Sequence, residues 1–116
     1  MIIENDGYFR SINGITADQT QLIRAFLQGA VYCWCKNRSK EWFSIRDLMG
    51  GENFDWNGTP LFPLWQKRAD EGWEEDAAIV EAGKEAGWIL KSVLQDDQRQ
   101  FETIKEELVR KYRWVG

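Results

Sequence analysis

The chain contains no histidine. That removes the usual general base near neutral pH, the imidazole of a catalytic triad and a common nitrogen ligand of zinc. Cysteine is almost as scarce: Cys33 and Cys35, in "CWC", are the only two. One intervening residue is not the spacing of a redox pair, and no second pair exists to complete a zinc site. On a helix, residues two apart point to opposite sides, so these two cannot bridge without distortion. They are expected as free thiols packed like small hydrophobes, in a reducing compartment. No stretch approaches the ~18 apolar residues of a membrane span, and "MIIENDGYFR" lacks the basic start and apolar run of a secretory leader. The expectation is a soluble, cytoplasmic protein with no membrane contact. "GGENFDWNG" has glycines but no GK[ST], so it is not a phosphate loop. Internal repeats, linkers and low-complexity segments are absent, and neither a cofactor nor a small-molecule substrate is evident.

What the chain has in quantity is aromatic bulk. Seven Trp, six Phe and three Tyr occur in 116 residues, and each aromatic side chain can bury roughly 150–250 Å². A single domain of this length hides about two-thirds of its unfolded surface and needs no disulfide. The formal charge is −4, which argues against a general nucleic-acid coat. Its distribution is uneven. Residues 70–81 hold Asp70, Glu71, Glu74, Glu75, Asp76 and Glu81 with no cation, whereas residues 98–116 hold Arg99, Lys105, Arg110, Lys111 and Arg113 against Glu102, Glu106 and Glu107. Lys36, Arg38, Lys40 and Arg46 form a second basic cluster around Glu41. This asymmetry permits a local anion-binding face despite the net sign.

Residues 1–15 read as an irregular or briefly extended arm. "TADQ" then fits a capping box, Thr16 with Gln19, and Ile23, Phe26, Leu27, Ala30, Val31 and Trp34 recur at helical spacing. A helix is predicted over about 17–36, closing at Asn37 in a left-handed cap. "EWF" at 41–43 reads as a brief strand, and "SIRDLMGG" at 44–51 as a short helix with a serine cap and a glycine stop. Thr59 as N-cap with Pro60 in the first turn predicts the next helix, ending at Gly72. A long helix follows over about 75–94, with acids at its positive end and Ile79, Ala82, Ala86, Ile89, Leu90, Val93 and Leu94 as its apolar stripe. Gly83 and Gly87 on one face imply close approach of a neighbouring helix. The tail "RQFETIKEELVRKYRWVG" supports a helix or a hairpin. The alternation in "LVRKYRWV", with Leu108, Tyr112 and Trp114 opposite Lys111 and Arg113, favours strands near 100–105 and 109–115.

"ENFDWNGTP" places Asn53, Asp55, Asn57 and Gly58 where a calcium loop starts. Counting from Asn53, the bidentate position falls on Leu64 and only one carboxylate is present, so no metal site is expected. Side-chain turns at Asp55 and Asn57, an unusual φ at Gly58 and a Trp56 packed beneath the loop account for the segment. The carboxylate pairs Glu74/Glu75 and Glu106/Glu107 read as solvated surface, since catalysis would need burial to shift them. The chain reads as non-enzymatic.

The order of elements, mainly helical α+β with a basic C-terminal hairpin, resembles the winged helix-turn-helix superfamily. "WNGTPLFPLW" is similar to a capped helix start of such domains, "EAGKEAGWILKSVL" to their recognition-helix segment, and "RQFETIKEELVRKYRWVG" to a wing. The resemblance implies a single domain over residues 1–116 that binds double-stranded DNA. The long helix would enter the major groove, and cations would meet phosphates. The contacts it nominates are Lys84 and Lys91 on the helix and Arg99, Lys105, Arg110, Lys111 and Arg113 on the hairpin. Two alternatives stand beside it. One is a protein-interaction or homodimerisation module presenting Trp73 and Trp88, since tryptophan is enriched at interface hot spots. The other is an all-α helical bundle, if the tail is helical.

Overall fold

A computed structural model describes residues 1–4, 6–51 and 55–116. Within them lie four helices, α1 (Ala17–Asn37), α2 (Ile45–Leu48), α3 (Phe62–Asp70) and α4 (Glu75–Asp96). Two antiparallel strands follow, β1 (Phe101–Glu106) and β2 (Val109–Trp114). The fold is α+β and mainly helical. The tail is a hairpin, so the all-α alternative falls.

α1 starts as its capping box dictates. The Gln19 N–H donates to Thr16 Oγ1 at 3.0 Å, and the Thr16 N–H donates to Gln19 Oε1 at 2.8 Å. Ile23, Leu27, Val31 and Cys35, spaced by four, form its buried stripe. Its end differs from expectation. Asn37 is the last helical residue, its side-chain amide donates to the Cys33 carbonyl at 2.9 Å, and the left-handed backbone falls on Lys40 at φ 71°. Cys33 is exposed and only Cys35 is buried. Opposite helix sides have opposite fates, so the expectation of two packed thiols holds for one.

α2 is a single turn between the Ser44–Asp47 capping box and Gly50–Gly51, which take φ 91° and 107°. α3 begins later than Thr59–Pro60 suggested. Thr59 Oγ1 accepts from the Leu61 N–H at 3.2 Å, which closes a turn ahead of the helix, and Leu61 is the N-cap. Pro63 therefore lies in the first turn, where an amide hydrogen would be unpaired anyway. In the loop before it, Asp55 Oδ1 accepts from the Asn57 N–H at 3.0 Å and Gly58 takes φ 73°. Trp56 packs against the core. Asn53, the first position of the calcium comparison, lies outside the described residues. Among those residues no group of three or more Cys, Asp or Glu side chains is placed to hold a metal ion.

α4 is the central element. Ala78, Ala82, Glu85, Ala86, Ile89, Leu90, Val93 and Leu94 are its buried face, packed against α1 and α3. Each fully buried leucine contributes about 1.5–3 kcal/mol. Ile79 lies one residue off this stripe and is 37% exposed, contrary to its predicted place in the core. Gly87 faces α2, where an added Cβ would rest 3.8 Å from Ile45 Cγ2, but Gly83 faces open space. Only one of the two glycines marks a close approach.

The base of the hairpin is built into the body from both sides. Phe43 exchanges backbone hydrogen bonds with Tyr112 at 2.8 Å each, so the predicted strand at 41–43 survives as one bridge. On the other edge, Ile2 bridges Phe101 in parallel, with the Ile3 N–H donating to the Phe101 carbonyl at 2.7 Å. The arm is thus extended at its start. Phe43 and Phe101 meet edge to face, with centroids 6.1 Å apart. Among the described residues no helix is long and apolar enough to cross a membrane.

Candidate nucleic-acid interface

The register of the hairpin decides where each cation points. Phe101 opposes Trp114, Thr103 opposes Tyr112 and Lys105 opposes Arg110, so these six share one face. At the base that face is core: Phe101 is 0% and Tyr112 3% exposed. Burial pushes the Tyr112 phenol up to about 12. Toward the turn the same face leaves the body, and residues 104–110 are all exposed. Leu108 belongs to neither face. It sits in the two-residue turn with Glu107 and is 92% exposed, which corrects its expected place beside Tyr112 and Trp114. Glu107 takes φ 57°, the left-handed backbone that a turn this tight demands.

The outer face is charge-matched. Arg113 bonds Glu102 directly across the ladder and lies over the Trp42 ring at 4.6 Å. Lys111 pairs diagonally with Glu106 at 3.2 Å. Arg99 precedes β1 instead of lying in it. It pairs with Asp97 at 2.7 Å and is placed over Tyr32 and Trp114. Lys91 on α4 is held by Asp6 at 2.5 Å. Four of the nominated cations, Lys91, Arg99, Lys111 and Arg113, therefore already have internal counter-ions. Lys84, Lys105 and Arg110 have no ion pair among the described residues. Lys105 and Arg110 also stand directly opposite each other, an arrangement of like charges that destabilises a ladder by roughly 0.2–1 kcal/mol.

The exposed stripe of α4 does not face solvent freely. Lys84, Trp88, Lys91 and Gln95 recur at helical spacing; the N-terminal arm meets the last three, and Lys84 stays exposed. Gln95 Oε1 accepts from the Ile2 N–H at 3.2 Å, the Tyr8 carbonyl accepts from Lys91 at 2.6 Å, and the Arg10 guanidinium lies 4.9 Å from the Trp88 ring centre. Trp88, nominated for a partner surface, is half-buried beneath Arg10. Trp73 is 41% exposed at the α3–α4 turn, with Arg68 stacked on it at 5.1 Å.

Sequence reasoning missed two features. One is the docking of the arm on α4, since Asp6, Tyr8, Phe9 and Arg10 show no periodicity and meet their partners only through the fold. The other is Glu85, 3% exposed, with Lys67 at 2.9 Å and Arg68 at 3.5 Å. Lys67 also donates to the Asn13 carbonyl, so this buried cluster fastens arm, α3 and α4 together. A signal was present: Glu85 falls within the apolar spacing of α4, where a carboxylate must find a cation. An open hollow of about 400 Å³ lies near the end of α4, lined by Gln28, Asp96, Asp97, Gln98 and Arg99. Its one cation is already tied to Asp97.

No family model matches the chain, and no curated protein or solved structure matches it either.

Proposed function

We propose that this is a non-enzymatic, winged-helix-like domain that contacts the phosphate backbone of double-stranded DNA through the inner face of its hairpin. The observation that carries the reading is the Lys105–Arg110 rung: two opposed cations at the exposed end of the ribbon that make no direct ion pair among the described residues. A bridging phosphate would relieve their repulsion. The reading is narrower than the sequence implied. With the arm lying over Trp88, Lys91 and Gln95 of α4, base readout by that stretch of the helix has no support, and backbone contact through few cations gives weak, salt-sensitive binding. Each phosphate neutralised contributes about −0.9 to the slope of log affinity against log salt. In fluorescence anisotropy with a random-sequence duplex at low salt, Lys105→Glu/Arg110→Glu should abolish binding, while Lys111→Glu/Arg113→Glu should weaken it less. Equal loss in the two double variants would remove the rung from the interface.

A second reading, docking to a protein, is favoured by the apolar tip. Leu108 is 92%, Ile104 40% and Val109 37% exposed, and the outer face that carries Ile104 and Val109 has its charges matched. On this reading Leu108→Asp breaks the interaction and the rung variants do not. A cytoplasmic setting suits both readings.

A further inference from the structure

Asp6, Tyr8 and Phe9 meet on one side chain. Lys91 Nζ lies 2.5 Å from the Asp6 carboxylate, donates to the Tyr8 carbonyl at 2.6 Å and sits 4.9 Å from the centre of the Phe9 ring. The Lys91 hydrogen bond, aided by the Tyr8 N–H, holds the Asp6 carboxyl below its usual pKa. The segment is fastened beyond both ends, by Ile2 in the core and by Lys67 on the Asn13 carbonyl. Between those fastenings it lies on the surface, with Tyr8 58% and Phe9 38% exposed. It can therefore lift without opening the core.

Beside Asp6 is a cavity of about 120 Å³, lined also by Ile2, Glu4, Lys91, Thr103, Arg110 and Tyr112. Lys91 approaches from α4 and Arg110 from β2, with Asp6 and Glu4 as the acidic residues of the lining. Arg110 makes no direct ion pair among the described residues, and it is half of the rung described above. A carboxylate and a phosphodiester each bring one negative charge and oxygen acceptors to such cations.

We propose that residues 6–10 form a displaceable strap over an anion site made by Lys91 and Arg110, in which Asp6 occupies the place of a phosphate group of the ligand. The proposal rests on the reading of the hairpin as a phosphate-contacting element. It makes affinity depend on how readily the strap lifts, since a ligand must displace Asp6 before Lys91 can contribute.

The test uses the full chain and Asp6→Asn, which keeps the side-chain size and removes the charge. Glu75→Gln, at the far end of α4, makes the same change in net charge and serves as the control. For Asp6→Asn, a fluorescent duplex at low salt should bind roughly three- to tenfold tighter, with a salt slope steeper by about 0.9. Glu75→Gln should behave as the parent chain, and trypsin should cut after Arg10 faster only in Asp6→Asn. Equal affinity and slope in Asp6→Asn and the parent would overturn the strap while leaving the hairpin reading intact, as would unchanged cleavage after Arg10. If no variant binds duplex, the hairpin reading fails. Inorganic phosphate then decides the site: side-chain NMR shifts of Lys91 and Arg110 in Asp6→Asn, absent in the parent, keep it as a site for free phosphate, and their absence in both overturns it.

Discussion

The two ends of one ribbon obey different rules. At the Phe101–Trp114 end the devices of a stable sheet are in place: edge partners on both sides, aromatic rings edge to face, and full burial of Phe101 with Tyr112 beside it. At the Lys105–Arg110 end, only a few residues away, like charges oppose each other, a glutamate takes a left-handed backbone and a leucine stands in solvent. The same two strands carry both ends, so the difference is not one of backbone type. It separates residues that hold the fold from residues the fold merely presents, and local cost without local compensation marks the second kind.

The sharpest way to break the comparison is at the base. Phe101→Ala should destabilise the domain by about 3–5 kcal/mol in denaturant unfolding, because it empties a fully buried ring site. A cost below ~1 kcal/mol would mean the base is no more structural than the tip. The next effect depends on pH. The Tyr112 phenol is raised to about 12 in the fold, so between its unfolded value near 10 and that figure the unfolded chain loses a proton which the folded chain keeps. Stability is therefore full below pH ~10 and falls as pH rises toward 12, by about 2–3 kcal/mol for a shift of this size. Tyr112→Phe should flatten that part of the alkaline unfolding profile, and an unchanged profile would show the phenol to be hydrated. The smallest effect belongs to the tip. Glu107→Gly should raise stability by about 0.5 kcal/mol, because glycine adopts φ 57° without a Cβ penalty and loses part of that gain to its freer unfolded state. A loss of stability on thermal melting would mean the Glu107 side chain has an unrecognised role at the turn.

Much of the base was legible in the sequence, and little of the tip's surroundings. Alternation through Tyr112 and Trp114 announced the ribbon, and the Thr16–Gln19 box announced α1, because both signals are local and backbone-encoded. The turn was obscure because Glu107–Leu108 contains neither Gly nor Asn. The start of α3 was displaced because Thr59 serves a turn ahead of the helix rather than its cap. The cover over α4 was invisible for a different reason. Asp6 and Lys91 are 85 positions apart, and no periodicity links a short polar arm to a helix that far along the chain. Which cations remain unpaired is likewise a property of the assembled fold. Lys111 and Arg113 look like their neighbour Arg110 until the strand register hands each of the first two a glutamate.

Phe43 grips Tyr112 through both of its backbone groups, and Ile2 braces the opposite edge at Phe101. A beam clamped at its root and unsupported at its end bends most where it is farthest from the clamp. Residues 104–110 project from a root held on both edges. The direction in which the tip projects is set by Phe43 and Ile2 at that root, not by the turn itself.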